Sequence, residues 1–323
     1  MSKVPAFALT LFAVVGCADR TPDAEAEDST TESAIPAALG SGNVVEITAR
    51  GRTLEAPTEI ASGWTTLRLH NDSEEAHFVV LERLPEGRTV ADSRAEVVPV
   101  FQNGLDLLSA GKDKEALAEF GRLPAWYADV VVFGGPGIVS GGVTGQTSLY
   151  LEPGTYAIEC YVKTGGRFHS ADGMISQLVV TEAAGGGHEP TAPLELTVTG
   201  AGIALDGIPQ SGVQSVKVTF DEQMVHEHFL GTDVHLVRLG AEPDTAALAS
   251  WMNWINPGGL ATPAPGRFLG GTQEMPAGQA AYFMAPLTPG QYAFVAEVPE
   301  PSGKGMLLTF TVPAAEETSE SGT

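Results

Sequence analysis

Apolar and polar residues alternate along seven short segments in the first half of the chain, and this two-residue period predicts β-strands. Turn-forming residues separate the segments, as at Pro153-Gly154 and in the glycine cluster that begins at Gly134. Short strands divided by such turns are typical of a β-sandwich, so the pattern predicts an all-β fold. The predicted strands are residues 44–49, 65–70, 77–84, 129–133, 147–152, 155–162 and 175–181.

One insert, at about residues 91–122, follows a helical period instead. Ser93 and Glu96 have the spacing of a capping box, and apolar residues then recur at helical spacing from Val97 to Leu108. A second helical run follows shortly afterwards. The sequence therefore predicts two short helices on one side of the sandwich, and core packing, shielding of a site and docking of a partner are all open as their role.

The second half of the chain repeats motifs of the first. LERLPEGRTVAD at residues 81–92 resembles LVRLGAEPDTAA at 236–247, and LEPGTYAIECYV at 151–162 resembles LTPGQYAFVAEV at 287–298. The folded part, about 270 residues, also exceeds what one small core usually takes. We therefore predict two tandem sandwiches, with the first at 44–182, a Gly- and Pro-containing linker at 183–193, and the second at 194–313.

The chain begins with a segment typical of an export signal. Within residues 1–17, Lys3 precedes an apolar run from Val4 to Val15 that is too short to span a bilayer. The end of this segment resembles the lipobox of bacterial lipoproteins, in which Cys17 is lipidated and becomes the first mature residue. An ordinary secretory signal is the alternative, and the chain is expected to be exported either way.

Two segments are too acidic and too poor in large apolar residues to fold. Residues 18–43 and 314–323 are rich in acidic residues, Ser, Thr and Ala. Such segments cannot bury enough apolar surface to offset the entropy of ordering, so both are predicted to be disordered. The first of them would be a flexible tether between a lipid anchor and the folded part.

Residues 153–174 contain a set of side chains that suits copper. Cys160, His169 and Met174 offer a thiolate, an imidazole and a thioether, whereas calcium and magnesium prefer oxygen ligands. A blue-copper site needs a second imidazole, and His77, at the start of an apolar segment, is the candidate. If Cys17 carries lipid, Cys160 has no disulfide partner and is open to oxidation unless it is buried or bound to metal.

At these residues the chain resembles the cupredoxins, the blue-copper family. Asn71 and His77 are similar to that family's first-histidine segment, and Cys160-x8-His169-x4-Met174 is similar to its C-terminal ligand loop. The long loop is most similar to the type 1 site of copper nitrite reductases. The resemblance covers about residues 44–182 and implies a Greek-key sandwich in which His77, Cys160, His169 and Met174 bind one type 1 copper. It also implies that His169 is the ligand nearest the surface. There are two alternatives. In one, the four residues are ordinary packing residues that coincide by chance; in the other, the domain keeps them but does not load metal.

The second sandwich is predicted to lack this site. Alignment of the repeated motifs sets Ala296 opposite Cys160 and Thr232 opposite His77. Only the fourth ligand type is retained, with Met306 at the position of Met174. We expect this half to be structural or to bind a partner.

A different group in the second half could bind copper. Met224, His226 and His228 alternate, and alternate residues of a β-strand share one face, so they would form a small copper-binding edge. A solvated strand end is the alternative.

The residues beside the candidate cysteine bear on catalysis. Multicopper oxidases flank the type 1 cysteine with histidines, and copper nitrite reductases place one just before it, whereas this chain has Glu159 and Tyr161. No serine-histidine-acid pattern, phosphate loop or zinc motif is present either. We therefore expect a protein that is not an enzyme.

The net charge of −23, from 17 basic and 40 acidic residues, disfavours nucleic acid and favours an electropositive redox partner such as a basic cytochrome. The sequence predicts a membrane-tethered mononuclear blue-copper protein that transfers single electrons outside the cytoplasm. Copper storage or delivery, and a metal-free adhesion or scaffold lipoprotein, are the rival functions.

Overall fold

The computed structural model describes residues 42–256 and 258–314. The predicted export signal with Cys17, nearly all of the predicted tether 18–43 and the predicted acidic tail from residue 315 lie outside the described residues. No helix within the described ranges is long and apolar enough to cross a membrane.

The described residues fold mainly into strands. The first half contains β1 (Asn43–Arg50), β2 (Thr53–Glu55), β3 (Glu59–Asn71), β4 (Val80–Arg83), β5 (Val131–Val132), β6 (Thr144–Leu151), β7 (Gly154–Glu159), β8 (Lys163–Thr164), β9 (Arg167–Phe168) and β10 (Ile175–Ala184). The second half contains β11 (Leu194–Thr199), β12 (Gly202–Asp206), β13 (Gly212–Phe220), β14 (Val234–Arg238), β15 (Arg267–Thr272), β16 (Gln279–Leu287), β17 (Gly290–Val295) and β18 (Leu307–Val312). The all-β prediction is confirmed.

Strand β3 explains how the first half closes into two layers. Its first residues pair with β10, which continues to β7, β4 and β5, whereas the rest of β3 pairs with β1 and β6. One long strand therefore belongs to both layers. On β1 the buried side chains are Val45, Ile47 and Ala49, at the two-residue spacing that turns alternate side chains into the space between the layers.

The second half reproduces the pairing of the first. Strands β1 and β3 are parallel, as are β11 and β13, and Arg83 pairs with Tyr156 just as Arg238 pairs with Tyr292. The hydroxyl groups of both tyrosines donate hydrogen bonds of 2.9 Å to the carbonyl oxygen four residues earlier. The repeated motifs are thus repeated structures, although the exact domain boundaries stay a prediction.

The two halves share one sheet. Strand β6 pairs antiparallel with β16, which joins the β1–β3–β6 layer to the β13–β11–β12 layer. A second junction is the segment of residues 134–140, whose backbone bonds to both halves. The second half therefore supports the first directly.

The helical insert is present where predicted, but its capping box lies one turn earlier. It consists of α1 (Val90–Asp92), a π-helical turn (Ser93–Val97), α2 (Val98–Ser109) and α3 (Asp113–Phe120). The capping box is formed by Thr89 and Asp92, not by Ser93 and Glu96. The wide turn ends at Val97, two residues before Pro99, which has no N–H to donate to the preceding turn.

Candidate metal centre

Three predicted ligands from distant parts of the sequence meet in the first sandwich. The Cys160 Sγ lies 3.6 Å from His77 Nδ1 and 3.8 Å from His169 Nδ1, and the two nitrogens are 3.2 Å apart. All three side chains are fully buried. Among the described residues they form the one group of three histidine, cysteine or acidic side chains that could hold a metal ion.

The dimensions of this triangle suit a transition metal. A point equidistant from the three donor atoms lies about 2 Å from each, which is close to the bond length of imidazole nitrogen and thiolate sulfur to such a metal. Two imidazoles and one thiolate in a trigonal arrangement are the donor set of a blue-copper site. The residues therefore fit a copper ion.

His77 is held by its backbone and by a loop that Asn71 organises. His77 and Val139 exchange two backbone hydrogen bonds, of 3.0 and 2.8 Å, in an isolated bridge ahead of β4. The Asn71 side chain donates to the carbonyl oxygens of Glu75 and Val139 and accepts from Ser73. Asn71 thus ties the loop before His77 to the strand segment that pairs with it.

Cys160, His169 and Met174 are positioned by one compact loop after β7. The Cys160 N–H donates to the Met174 carbonyl at 3.0 Å, and the Met174 N–H donates to the His169 carbonyl at 2.9 Å. Gly173 adopts a φ of 112°, which favours glycine and allows the chain to turn into Met174. The Met174 side chain is fully buried, so the fourth predicted ligand lies in the same protected part of the molecule.

The second nitrogen of His169 has partners that set its tautomer. Nε2 lies 3.0 Å from Thr164 Oγ1 and 3.2 Å from a Glu75 carboxylate oxygen. With the Thr164 hydroxyl as the acceptor, Nε2 carries the proton and the Nδ1 lone pair faces Cys160. The His169 imidazole is fully buried, and these neighbours, Thr164 and Glu75, connect it toward solvent. Neither residue was singled out from the sequence, and no local motif marks them.

Burial also sets the protonation states of the three donors. It lowers the pKa of His77 to about 4, with the nearby His169 as a further cause, and it lowers the pKa of His169 to about 4. Burial raises the pKa of the Cys160 thiol to about 12 in the absence of metal. Both imidazoles are therefore neutral at neutral pH, and a metal ion must displace the thiol proton when it binds.

The corresponding place in the second half has the same backbone and no such donors. The Ala296 N–H donates to the Met306 carbonyl at 3.0 Å, which matches the bond between Cys160 and Met174. Ala296 and Thr232 occupy the positions of the cysteine and the first histidine, as the motif alignment predicted.

The expected copper-binding edge at Met224, His226 and His228 does not rest on a strand. This segment is a loop that enters a 3₁₀ turn at Glu227–Phe229, and the strand face that would align its side chains is absent. The His226 N–H bonds to the Leu230 carbonyl, and its Nε2 lies 3.0 Å from Thr232 Oγ1. The prediction of a strand, on which this copper site depended, is therefore wrong.

Comparisons with known proteins bear on the fold. No model of a known protein family and no curated protein matches the chain. Among solved structures, auracyanin A, a blue copper protein from Chloroflexus aurantiacus, is 21% identical with a TM-score of 0.26, and the match covers 43% of this chain and 98% of that one. A multicopper oxidase is 12% identical with a TM-score of 0.21, covering 83% and 87%. The copper nitrite reductase of Thermus scotoductus SA-01 is 12% identical with a TM-score of 0.21, covering 85% and 61%.

Identities this low concern the fold alone. The described chain has an all-β fold of sandwich-like sheets with a helical insert, and matches with TM-scores this low add nothing to that description. The expectation that the chain is not an enzyme is wrong as stated, because the structural neighbours include multicopper oxidases and a nitrite reductase, which are enzymes. Glu159 and Tyr161 in place of histidine therefore do not by themselves exclude catalysis.

Proposed function

We propose that this protein binds one copper ion in a type 1 site formed by His77, Cys160, His169 and Met174. The observation that carries the proposal is the triangle of buried donor atoms, two nitrogens and one sulfur, with sides of 3.2 to 3.8 Å. A thiolate with two neutral imidazoles favours copper over harder ions.

We further propose that the centre transfers single electrons. Copper bound there would alternate between Cu(I) and Cu(II). The protein's part is to keep the donors in place: the Asn71 hydrogen bonds hold the His77 loop, and the backbone bonds between Cys160, His169 and Met174 hold the other three. Little has to move when the charge changes. His169 is the proposed exit for the electron, since its Nε2 reaches Thr164 and Glu75 at the edge of the site.

Copper titration of the purified protein tests the site. Cu(II) should bind at one ion per chain and give the intense absorption of thiolate-to-copper charge transfer. Cys160→Ser should abolish the colour. Cys17→Ser, the change of the other cysteine of the two in the chain, is the matched control and should retain it. A colourless wild-type protein, or colour that survives in Cys160→Ser, would refute the proposal, and more than one copper per chain would favour storage or delivery.

Membrane attachment through Cys17, export and an electropositive redox partner belong to the same proposal. They are supported by the lipobox-like end of residues 1–17 and by the net charge of −23. Electron transfer to a basic cytochrome should slow as ionic strength rises. A rate that does not respond to salt would remove the partner from the proposal and leave the copper site untouched.

A further inference from the structure

A cavity of about 100 Å³ lies next to the candidate centre, between the two halves of the chain. Four acidic residues line it: Glu82 and Glu159 from the first half, and Asp233 and Glu274 from the second. No lysine or arginine is among the described residues that line it. The cavity is therefore a concentration of carboxyl groups without a cation of its own.

One buried polar group that lines this cavity has no hydrogen-bond partner among the described residues. Gln273 lines the cavity, is only 2% exposed, and its Nε2 makes no hydrogen bond. Buried polar groups are nearly always paired, so the unpaired Gln273 amide indicates that the cavity is occupied when the protein is in solution.

The electrostatic state of the cavity also favours a positive occupant. Burial raises the pKa of Glu274 to about 8, with Asp233 as a further cause. Burial, followed by the charges of Glu159 and Glu274, raises the pKa of Glu82 well above its usual value. The buried cation Lys163 is directed elsewhere, because its Nζ donates to the carbonyls of Trp254 and Asn256.

The rest of the lining indicates which kind of cation fits. Aromatic rings make up much of the wall, and they are Phe101, Tyr127, Tyr161, Phe168, Phe229 and Trp254. Among the described residues, no three carboxylates approach within the 4.8 Å that defines the His77 group, so the acids are not gathered around one bare metal ion. Separated carboxylates and aromatic faces are the surroundings that recognise an organic ammonium group.

We propose that this cavity binds a small organic cation, a primary or secondary amine of about five heavy atoms, with its ammonium group toward Glu82 and Glu274 and its apolar part against the aromatic rings. A cavity of about 150 Å³ holds benzene, which sets the size of the ligand. Phe229 is the expected entrance, since it lines the cavity and is 51% exposed.

The cavity also borders the chain neighbours of a candidate copper ligand. Glu159 and Tyr161, the two neighbours of Cys160 in the chain, both line it. A bound amine would therefore lie beside the residues that flank the thiolate and would shift the absorption of the copper site. This coupling rests on the proposed function, but binding of the amine does not.

Calorimetric titration of the metal-free full chain at pH 7 tests the proposal, with isobutylammonium as the probe and isobutanol as the neutral analogue of the same shape. The ammonium ion should bind once per chain and at least tenfold more tightly than the alcohol. Glu82→Gln combined with Glu274→Gln should weaken binding at least tenfold. Glu115→Gln, a change at an exposed carboxylate of α3, should not alter it.

A second measurement is independent of affinity. Because burial raises the pKa of Glu274 to about 8, ammonium binding at pH 7 should release protons, which appear as a dependence of the binding heat on the buffer. Replacing a buried acid by its amide leaves the shape of the side chain intact, and circular dichroism would verify the fold of the variant.

Three outcomes would overturn the proposal: equal affinity for isobutanol, no binding of either probe, or Mn²⁺ binding that displaces the amine, which would make the cavity a metal site. A failure of copper to load in the separate titration would leave the amine result standing.

Discussion

The substitution Glu274→Gln should change how the stability of the protein depends on pH. Glu274 has its pKa raised from 4.5 to about 8 because folding buries the carboxyl near Asp233. Below pH 4.5 the group is protonated in both the folded and the unfolded chain, so it does not affect folding. Between pH 4.5 and 8 the unfolded chain loses the proton while the folded chain keeps it, and the free energy of unfolding falls as pH rises.

The size of this effect follows from the two pKa values. At about 1.4 kcal/mol per pKa unit, a rise from 4.5 to about 8 corresponds to a loss of about 5 kcal/mol. The carboxyl borders a cavity and is not sealed in apolar packing, so a loss of about 2 to 5 kcal/mol is the expected range. The amide has no charge to bury, and the variant should lack this part of the loss.

Equilibrium unfolding in urea at pH 5, 6.5 and 8 would measure this loss of unfolding free energy, with tryptophan fluorescence as the probe. The wild-type protein should lose stability across this range, and Glu274→Gln should lose less by about 2 to 5 kcal/mol. A remaining slope is expected from Glu82, whose pKa is raised as well. Glu115→Gln should follow the wild type. Parallel curves for wild type and Glu274→Gln would show that the carboxyl is not protonated in the folded state.

Three further substitutions test other parts of the structure. Thr164→Val removes a hydrogen-bond partner of His169 Nε2 and should weaken copper binding about tenfold in a competition with a chelator; unchanged affinity would contradict a role in orienting the ring. Gly104→Ala places a Cβ against the Phe120 ring, closer than van der Waals contact allows, and should lower the free energy of unfolding by about 1 to 3 kcal/mol, despite the gain in helix propensity. Tyr292→Phe removes the corner hydrogen bond of the second sandwich and should cost about 1 kcal/mol in the same urea assay, and no loss would contradict its structural role.

Local spacing was a good guide where one short loop forms the structure. Cys160, His169 and Met174 lie within fifteen residues, and backbone hydrogen bonds inside that loop bring them together. The repeated Pro-Gly-x-Tyr turns likewise predicted two equivalent corners, because a turn and the tyrosine that closes it are neighbours in the chain.

Local alternation misled at residues 224–228. The pattern there predicted a strand, but the Gln223 side chain bonds to both the N–H and the carbonyl of Thr232, and the His226 N–H reaches the Leu230 carbonyl. These bonds close a loop across about nine residues. A two-residue pattern does not contain that information.

The sequence by itself determined the strands, the helical insert, the internal repeat and the types of side chain available to a metal, since each depends on residues close together in the chain. Only the tertiary structure decided that His77 reaches Cys160 and that Thr164 and Glu75 lie beside His169. It also decided that acidic residues of both halves line one cavity: Glu82, Glu159, Asp233 and Glu274. The physical reason is that these contacts depend on how the layers pair. Strand β6 binding to β16, and the segment of residues 134–140 bonding to both halves, set distances that no local spacing encodes.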